Sequence, residues 1–316
     1  MERLFNNLRA TSQVELIYHK NKDGNFGDDL NEWIWNEFFP DAFDRDTDIA
    51  FIGIGTLLGS GAARATPTAK KRIVFGTGSG YSSIIKLDET WDIRFVRGPR
   101  TAKAFSLSPS KSITDPAILV SKFSSNPAKE FEVSFVPHHS SLMYGDWSEV
   151  CEHANINLID PQRDSRRVID AINKSKLILA ESLHGAIVAD SLRIPWIPLS
   201  TSDIILEFKW LDWAESMDLN ISINSAPRIL RPITDYTIKE QIKNYIKISL
   251  SSLKIKRFDV VRPIFGSSQA DKTRAAQRLI EIATNSKQYL SKDNVYKERL
   301  DAVLEEINKL RNDYLS

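Results

Sequence analysis

The chain has 316 residues, 42% hydrophobic and 26% charged, which is more than one hydrophobic core usually covers, so two α/β domains are the first expectation. Its 42 basic residues against 41 acidic ones leave a formal net charge of +1, a balance that argues against nucleic acid as the main partner. The one cysteine, Cys151, excludes an intramolecular disulfide and fits a reducing, cytoplasmic setting.

Met1 to Lys20 lacks a basic stretch followed by an apolar one, so no signal peptide is expected, and no apolar run is long enough to span a bilayer. A membrane-bound substrate would be met by a peripheral protein at the inner face. Val14 to Tyr18 reads as a strand running into Gly24-Asn25-Phe26-Gly27-Asp28-Asp29, then a helix with Leu30, Trp33, Ile34 and Phe38 on one face. Ile49 to Ile52, Arg72 to Phe75 and Ile93 to Val96 are further strands, ending in Gly53-Ile54-Gly55, Gly76-Thr77-Gly78-Ser79-Gly80 and Arg97-Gly98-Pro99. Strands alternating with helical segments predict a parallel sheet with helices on both faces.

Ser121 to Lys129, rich in Ser, Asn and Pro, is the candidate linker. After it, Phe131 to Val136, Ile156 to Ile159 and Lys176 to Ala180 read as strands, and Gly145 to Ala154, Asp164 to Asn173 and Gly185 to Leu192 as helices. Domains are therefore expected over 1–122 and 123–230, with a helical extension over 231–316. In that extension Ile238, Ile242, Ile246 and Leu250 share one side of an amphipathic stretch, with Lys239, Lys243 and Lys247 on another. The lysines suit either a solvated helix face or a contact with anionic lipid. Tyr296, Leu300, Val303, Ile307, Leu310 and Tyr314 follow a four-three spacing, the pattern of a short coiled coil. That stripe predicts self-association through 291–316 or packing on the chain's own surface.

The sharpest chemical signal is Glu181-Ser182-Leu183-His184-Gly185-Ala186, where a buried-looking strand gives way at once to a helix. In open α/β sheets ligands lie outside the carboxyl ends of strands. The next helix offers unused N–H groups to an anion there. His184 is thus placed to meet a bound phosphate or carboxylate, and the bland reading is a histidine that caps the helix or packs in the core. Arg97 and Arg100 flank another strand-to-helix turn, and their forks match carboxylate and phosphate oxygens. In Asn25-Phe26-Gly27-Asp28-Asp29, one acid is expected to cap the helix and the other to bond a sugar hydroxyl. Pro137-His138-His139-Ser140 follows a strand, and Thr114-Asp115-Pro116-Ala117 reads as a turn.

Other features are set aside. The glycine runs at 53–55 and 76–80 do not match the dinucleotide fingerprint. Asp44 and Asp46 mimic a metal-binding pair but lie in a polar loop, and the histidines show no zinc spacing, so no metal is expected. There is no nucleophile elbow, and Cys151, mid-helix by pattern, reads as a small buried hydrophobe.

Taken in order, the Asn25–Leu30, Gly53–Gly55, Phe75–Gly78, Val96–Pro99, Thr114–Ala117, Pro137-His138 and Glu181–Asp190 segments resemble the polysaccharide pyruvyl transferase family, over roughly residues 12–200. The branch resembled is the ketal-forming, exopolysaccharide one. The resemblance implies a GT-B-like fold, two Rossmann-like domains facing across a cleft. It implies phosphoenolpyruvate as donor, a saccharide acceptor that can be lipid-linked, and no cofactor. The donor side carries Arg97, Arg100, Ser182, His184, Gly185 and His138. The acceptor side carries Asn25, Gly27, Asp28 and Gly55. His184 is the expected acid, with Asp28 or Glu181 as base. Some relatives place an arginine where this chain has Ser182, which shifts anion binding toward Arg97 or Arg100. Two other readings share the residues: a nucleotide-sugar glycosyltransferase on the same fold, and a non-catalytic module that binds polysaccharide or assembles a synthesis complex.

Overall fold

A computed structural model of the chain describes residues 14–43, 48–201, 205–235, 237–243 and 266–314. They divide into two α/β units: unit 1 runs up to Phe123 and includes Phe208–Asn220 and the residues from Ser291, while unit 2 comprises Ser124–Glu207 and Ile221–Leu290.

Unit 1 holds β1 (Glu15–Ile17), β2 (Ile49–Ile52), β3 (Lys71–Phe75) and β4 (Trp91–Phe95), all parallel and adjacent in chain order. The C-terminal halves of β2 and β3 are continuous apolar runs, as strands covered on both faces require. On one face Trp35 meets Phe51 and Phe75 edge-on, with ring centroids 4.9 and 5.5 Å apart. On the other, Ile52, Val74 and Val96 pack with Leu58, Ala62 and Ala102. Between the strands lie α1 (Phe26–Asp29), α2 (Asn31–Phe38) and α3 (Ser60–Ala65), and α4 (Pro99–Ala104) follows β4.

Unit 2 holds β5 (Ser134–Val136), β6 (Asn157–Leu158), β7 (Ile178–Ala180), β8 (Trp196–Ser200) and β9 (Asn224–Ser225), again all parallel. Their order is β6-β5-β7-β8-β9. The winding reverses between β5 and β7, and this is the topological switch point where doubly wound sheets open a crevice. Unit 1, wound in one direction, has no such reversal among its described strands. The helices are α5 (His139–Tyr144), α6 (Trp147–Ala154), α7 (Ser165–Asn173) and α8 (Leu183–Ser191). The sequence started the last of these at Gly185. It starts two residues earlier because Ser182 occupies the N-cap and accepts a bond from the Gly185 N–H. Cys151 is buried in α6, as the pattern predicts, and burial pushes its thiol up to about 12.

Further helices are α9 (Glu207–Ser216), α10 (Gln269–Asn285) and α11 (Asp293–Tyr314). The helical C-terminal region does not stand apart. Ala275, Ala276, Leu279 and Ile282 of α10 join the core of unit 2. Val303, Ile307 and Leu310 of α11 are buried within unit 1. There the Tyr314 hydroxyl donates to Asp92 at 2.8 Å, and the Tyr296 hydroxyl donates to Ser121 at 2.7 Å. The four-three stripe is therefore covered by the chain's own unit. Of the two expectations for 291–316, packing on the chain's own surface is the one observed for Val303, Ile307 and Leu310. Asp44, Asp46, Ile246, Lys247 and Leu250 lie outside the described residues. Among those described, no helix is long and apolar enough to cross a membrane.

Candidate functional site

The switch point of unit 2 gathers two of the motifs that the sequence singled out. β5 and β7 pair in register, Val136 opposite Ala180, so the loops leaving them begin side by side. The N–H groups of Glu181 and Ser182 both donate to the Val136 carbonyl, at 2.9 and 3.1 Å. From β5 comes His138, the N-cap of α5, whose Nδ1 lies 2.6 Å from the Ser140 hydroxyl. Its ring lies 4.3 Å from that of His139. From β7 come Ser182, His184 and Gly185. His184 sits on the first turn of α8, half-buried, with Nε2 shielded from water. A Cβ on Gly185 would come within 3.1 Å of the Val136 side chain, so glycine lets α8 lie close against β5. The first turn of α8 directs backbone N–H groups and the positive end of the helix dipole at the same place. The arrangement suits a small, multiply charged anion flanked by imidazoles.

Glu181 holds this place together. Its Oε2 accepts the His138 N–H at 2.9 Å, and its Oε1 accepts the Thr201 N–H at 2.9 Å and the Thr201 hydroxyl at 2.6 Å. Ser141 adds a further side-chain bond. One carboxylate thus laces together the loops after β5, β7 and β8. Burial raises its pKa above the ordinary glutamate value, against the opposing effect of these bonds. At 1% exposure and with its oxygens already occupied, Glu181 positions its neighbours. The base role expected from sequence is corrected accordingly. Thr201 and Ser141 escaped the sequence reading. Thr201 would have been found had β8 been recognised, since it stands at that strand's carboxyl end.

Arg97 also departs from expectation. It is 1% exposed, and its fork is engaged inside unit 1: Nε donates to Asp212 at 3.2 Å, Nη1 to the Thr56 hydroxyl at 3.0 Å and the Gly55 carbonyl at 3.3 Å, and Nη2 to the Ser79 carbonyl at 3.3 Å. It ties the loops after β2 and β3 to α9, and is corrected from anion clamp to internal strut. The glycine-rich run after β3 serves this strut, because a Cβ on Gly78 would sit 2.2 Å from the guanidinium carbon. Asp212, fully buried, also accepts the Thr101 N–H at 2.8 Å and the Thr101 hydroxyl at 2.7 Å. It thereby caps α4, whose own N-cap, Gly98, has no side chain to do so. Arg100 is half-exposed and pairs with Glu215 at 2.7 Å.

The residues expected on the acceptor side stand at the carboxyl ends of β1 and β2. Asn25 Nδ2 donates to Asp28 at 2.6 Å, and the Asn25 N–H donates to Asp29 at 3.1 Å; the N-cap of α1 is Asn25 itself, so neither acid takes the capping position expected of one of them. Gly27 is buried in α1. A Cβ on Gly55 would lie 3.3 Å from Asp28 Oδ1, which puts the two loops in direct proximity. Asn31, buried, accepts from the Ile54 N–H and donates to the Asp28 and Ile54 carbonyls, fixing one loop against the other. Asp115 accepts from the Ala117 N–H, and Thr114-Asp115-Pro116-Ala117 is the turn that the sequence suggests. Among the described residues no group of three or more His, Cys, Asp or Glu is placed to hold a metal ion.

These features define the class: two parallel-sheet α/β units, one with an anion-suited switch point. The family model for polysaccharide pyruvyl transferase matches residues 5–203. The succinoglycan biosynthesis protein ExoV of Rhizobium meliloti strain 1021 is 38% identical over 214 residues, covering 66% of this chain and 67% of that protein. Looser structural likenesses are to an uncharacterized protein of Klebsiella pneumoniae subsp. pneumoniae (16% identical, TM-score 0.45, covering 68% of this chain and 94% of that one). Another is to the wall teichoic acid polymerase TagF (10% identical, TM-score 0.38, covering 95% and 90%). The chain belongs to the polysaccharide pyruvyl transferase family. Membership favours pyruvyl transfer over the nucleotide-sugar and non-catalytic readings.

Proposed function

We propose that the protein moves a pyruvyl group from phosphoenolpyruvate to two hydroxyls of one sugar in an exopolysaccharide or its lipid-linked precursor, closing a ketal. The observation that supports this most is the meeting of His138 with the Ser182-His184-Gly185 turn at the switch point of unit 2. A donor bearing both carboxylate and phosphate needs such N–H groups and imidazoles around it.

In this reading His184 protonates the methylene carbon of the enol, making it a methyl group and leaving positive character on the carbon that bears phosphate. One sugar hydroxyl attacks that carbon and gives up its proton. The bond to phosphate breaks, and the second hydroxyl closes the ring with loss of its own proton. The protons released by the two hydroxyls balance those taken up by the methyl carbon and by phosphate, so no redox cofactor is called for. Asp28 is assigned as the base, with Asn25, Gly27 and Gly55 shaping the acceptor loops. Ser182 and Gly185 hold the start of α8 to the donor, and His138 flanks it. Arg100 is the remaining arginine assigned to the donor. A donor screen tests the reading: phosphate release with phosphoenolpyruvate supports it, and nucleoside diphosphate release with a sugar nucleotide overturns it.

A further inference from the structure

One apolar face of the chain is turned to water. Residues 238–243 are helical, and the helix opens with a deliberate start: the Thr237 N–H donates to Glu240 at 2.8 Å, and the Glu240 N–H donates back to the Thr237 hydroxyl at 3.4 Å. Ile238 and Ile242, one turn apart and so on one face, are 77% and 54% exposed. Lys239 and Lys243 form the adjoining stripe, are exposed, and make no ion pair among the described residues. Elsewhere Lys174, Lys272 and Lys309 are each held by two carboxylates.

The charge is segregated as well. Residues 237–257 hold six basic residues against the single acid Glu240, in a chain whose overall net charge is only +1. An exposed apolar stripe edged by unpaired lysines matches a bilayer interface with anionic headgroups. The isoleucines enter the acyl boundary, the lysine stems lie along it, and the ammonium groups stay with the phosphates. We propose that the Ile238/Ile242 face, with Lys239 and Lys243, docks the protein peripherally on anionic lipid. This stands independently of the reaction assigned above.

The test is co-sedimentation of the full chain with phosphatidylcholine vesicles, with and without phosphatidylglycerol. The expected result is binding to the anionic vesicles alone, weakened by added salt. Lys239→Gln with Lys243→Gln should weaken binding about 30-fold. Ile238→Ser with Ile242→Ser should abolish it while leaving the melting temperature unchanged. Absence of vesicle binding, equal binding to neutral vesicles, or wild-type binding by both variants overturns the proposal. A lower melting temperature in the isoleucine variant would show that the chain itself covers the face. A concentration-dependent mass that the same variant loses would assign the face to a second copy. Either result overturns the lipid assignment.

Discussion

Asp212 meets Arg97 at 3.2 Å in the interior of unit 1, across 115 residues of sequence, with both side chains at 1% exposure or less. Removing one partner leaves the other charge buried alone, at a cost of about 3–5 kcal/mol. Asp212→Asn and Arg97→Ala should each lower the melting temperature by roughly 10 °C. Combining Asp212→Asn with Arg97→Ala should cost less than the sum of the single changes, as a double-mutant cycle followed by thermal melting will record. Equal and additive losses would argue against the strut.

Glu181 supplies a pH signature. Its folded-state pKa is raised, so across the range from the ordinary glutamate value of 4.5 up to the folded value the native state binds more protons than the unfolded one. The stabilisation is complete below that range and is lost as the pH rises through it. Urea melts at a series of pH values should show stability falling across this window. Glu181→Gln, which cannot ionise, should flatten the slope and lower stability throughout, because its amide offers a donor where only acceptors fit.

Cys151 should be chemically silent. Its thiol is buried and pushed up to about 12, and the thiolate is the reactive form. A thiol reagent at pH 8 should label the protein only after denaturant is added. Rapid labelling of the native protein would contradict the assigned burial.

Deleting residues 291–316 should unfold unit 1 without dissociating an oligomer, because Val303, Ile307 and Leu310 are covered by that unit. Light scattering and circular dichroism separate the outcomes: aggregation with lost structure is expected, and a folded chain of reduced oligomeric mass is not.

Much of this architecture was legible in the sequence. Continuous apolar runs such as Ile49–Ile52 and Leu177–Ala180 mark strands covered on both faces, and the Gly53-Ile54-Gly55 turn after the first marks its carboxyl end. β8 was not legible, because Pro198 lacks the N–H of a ladder residue and argues against a central strand. With β8 went Thr201, and with it the clue to what Glu181 does. Strand order is a tertiary property, so the switch point that gives His138 and His184 their setting could not be read in advance. Arg97 misled for a related reason: an arginine at a strand-to-helix turn suits an anion, and its partner Asp212 lies too far along the chain to announce itself.

His184 is proposed as the acid in pyruvyl transfer. The most direct test of that role is mass spectrometry of a saccharide acceptor incubated with phosphoenolpyruvate and either the native protein or His184→Ala, with phosphate release followed in parallel. The native protein should add one pyruvyl group per phosphate released. His184→Ala should do so about 10²–10⁴ times more slowly, with a smaller change in apparent donor affinity. An acceptor that gains no mass with the native protein, or a His184→Ala variant that turns over at the native rate, would contradict the account.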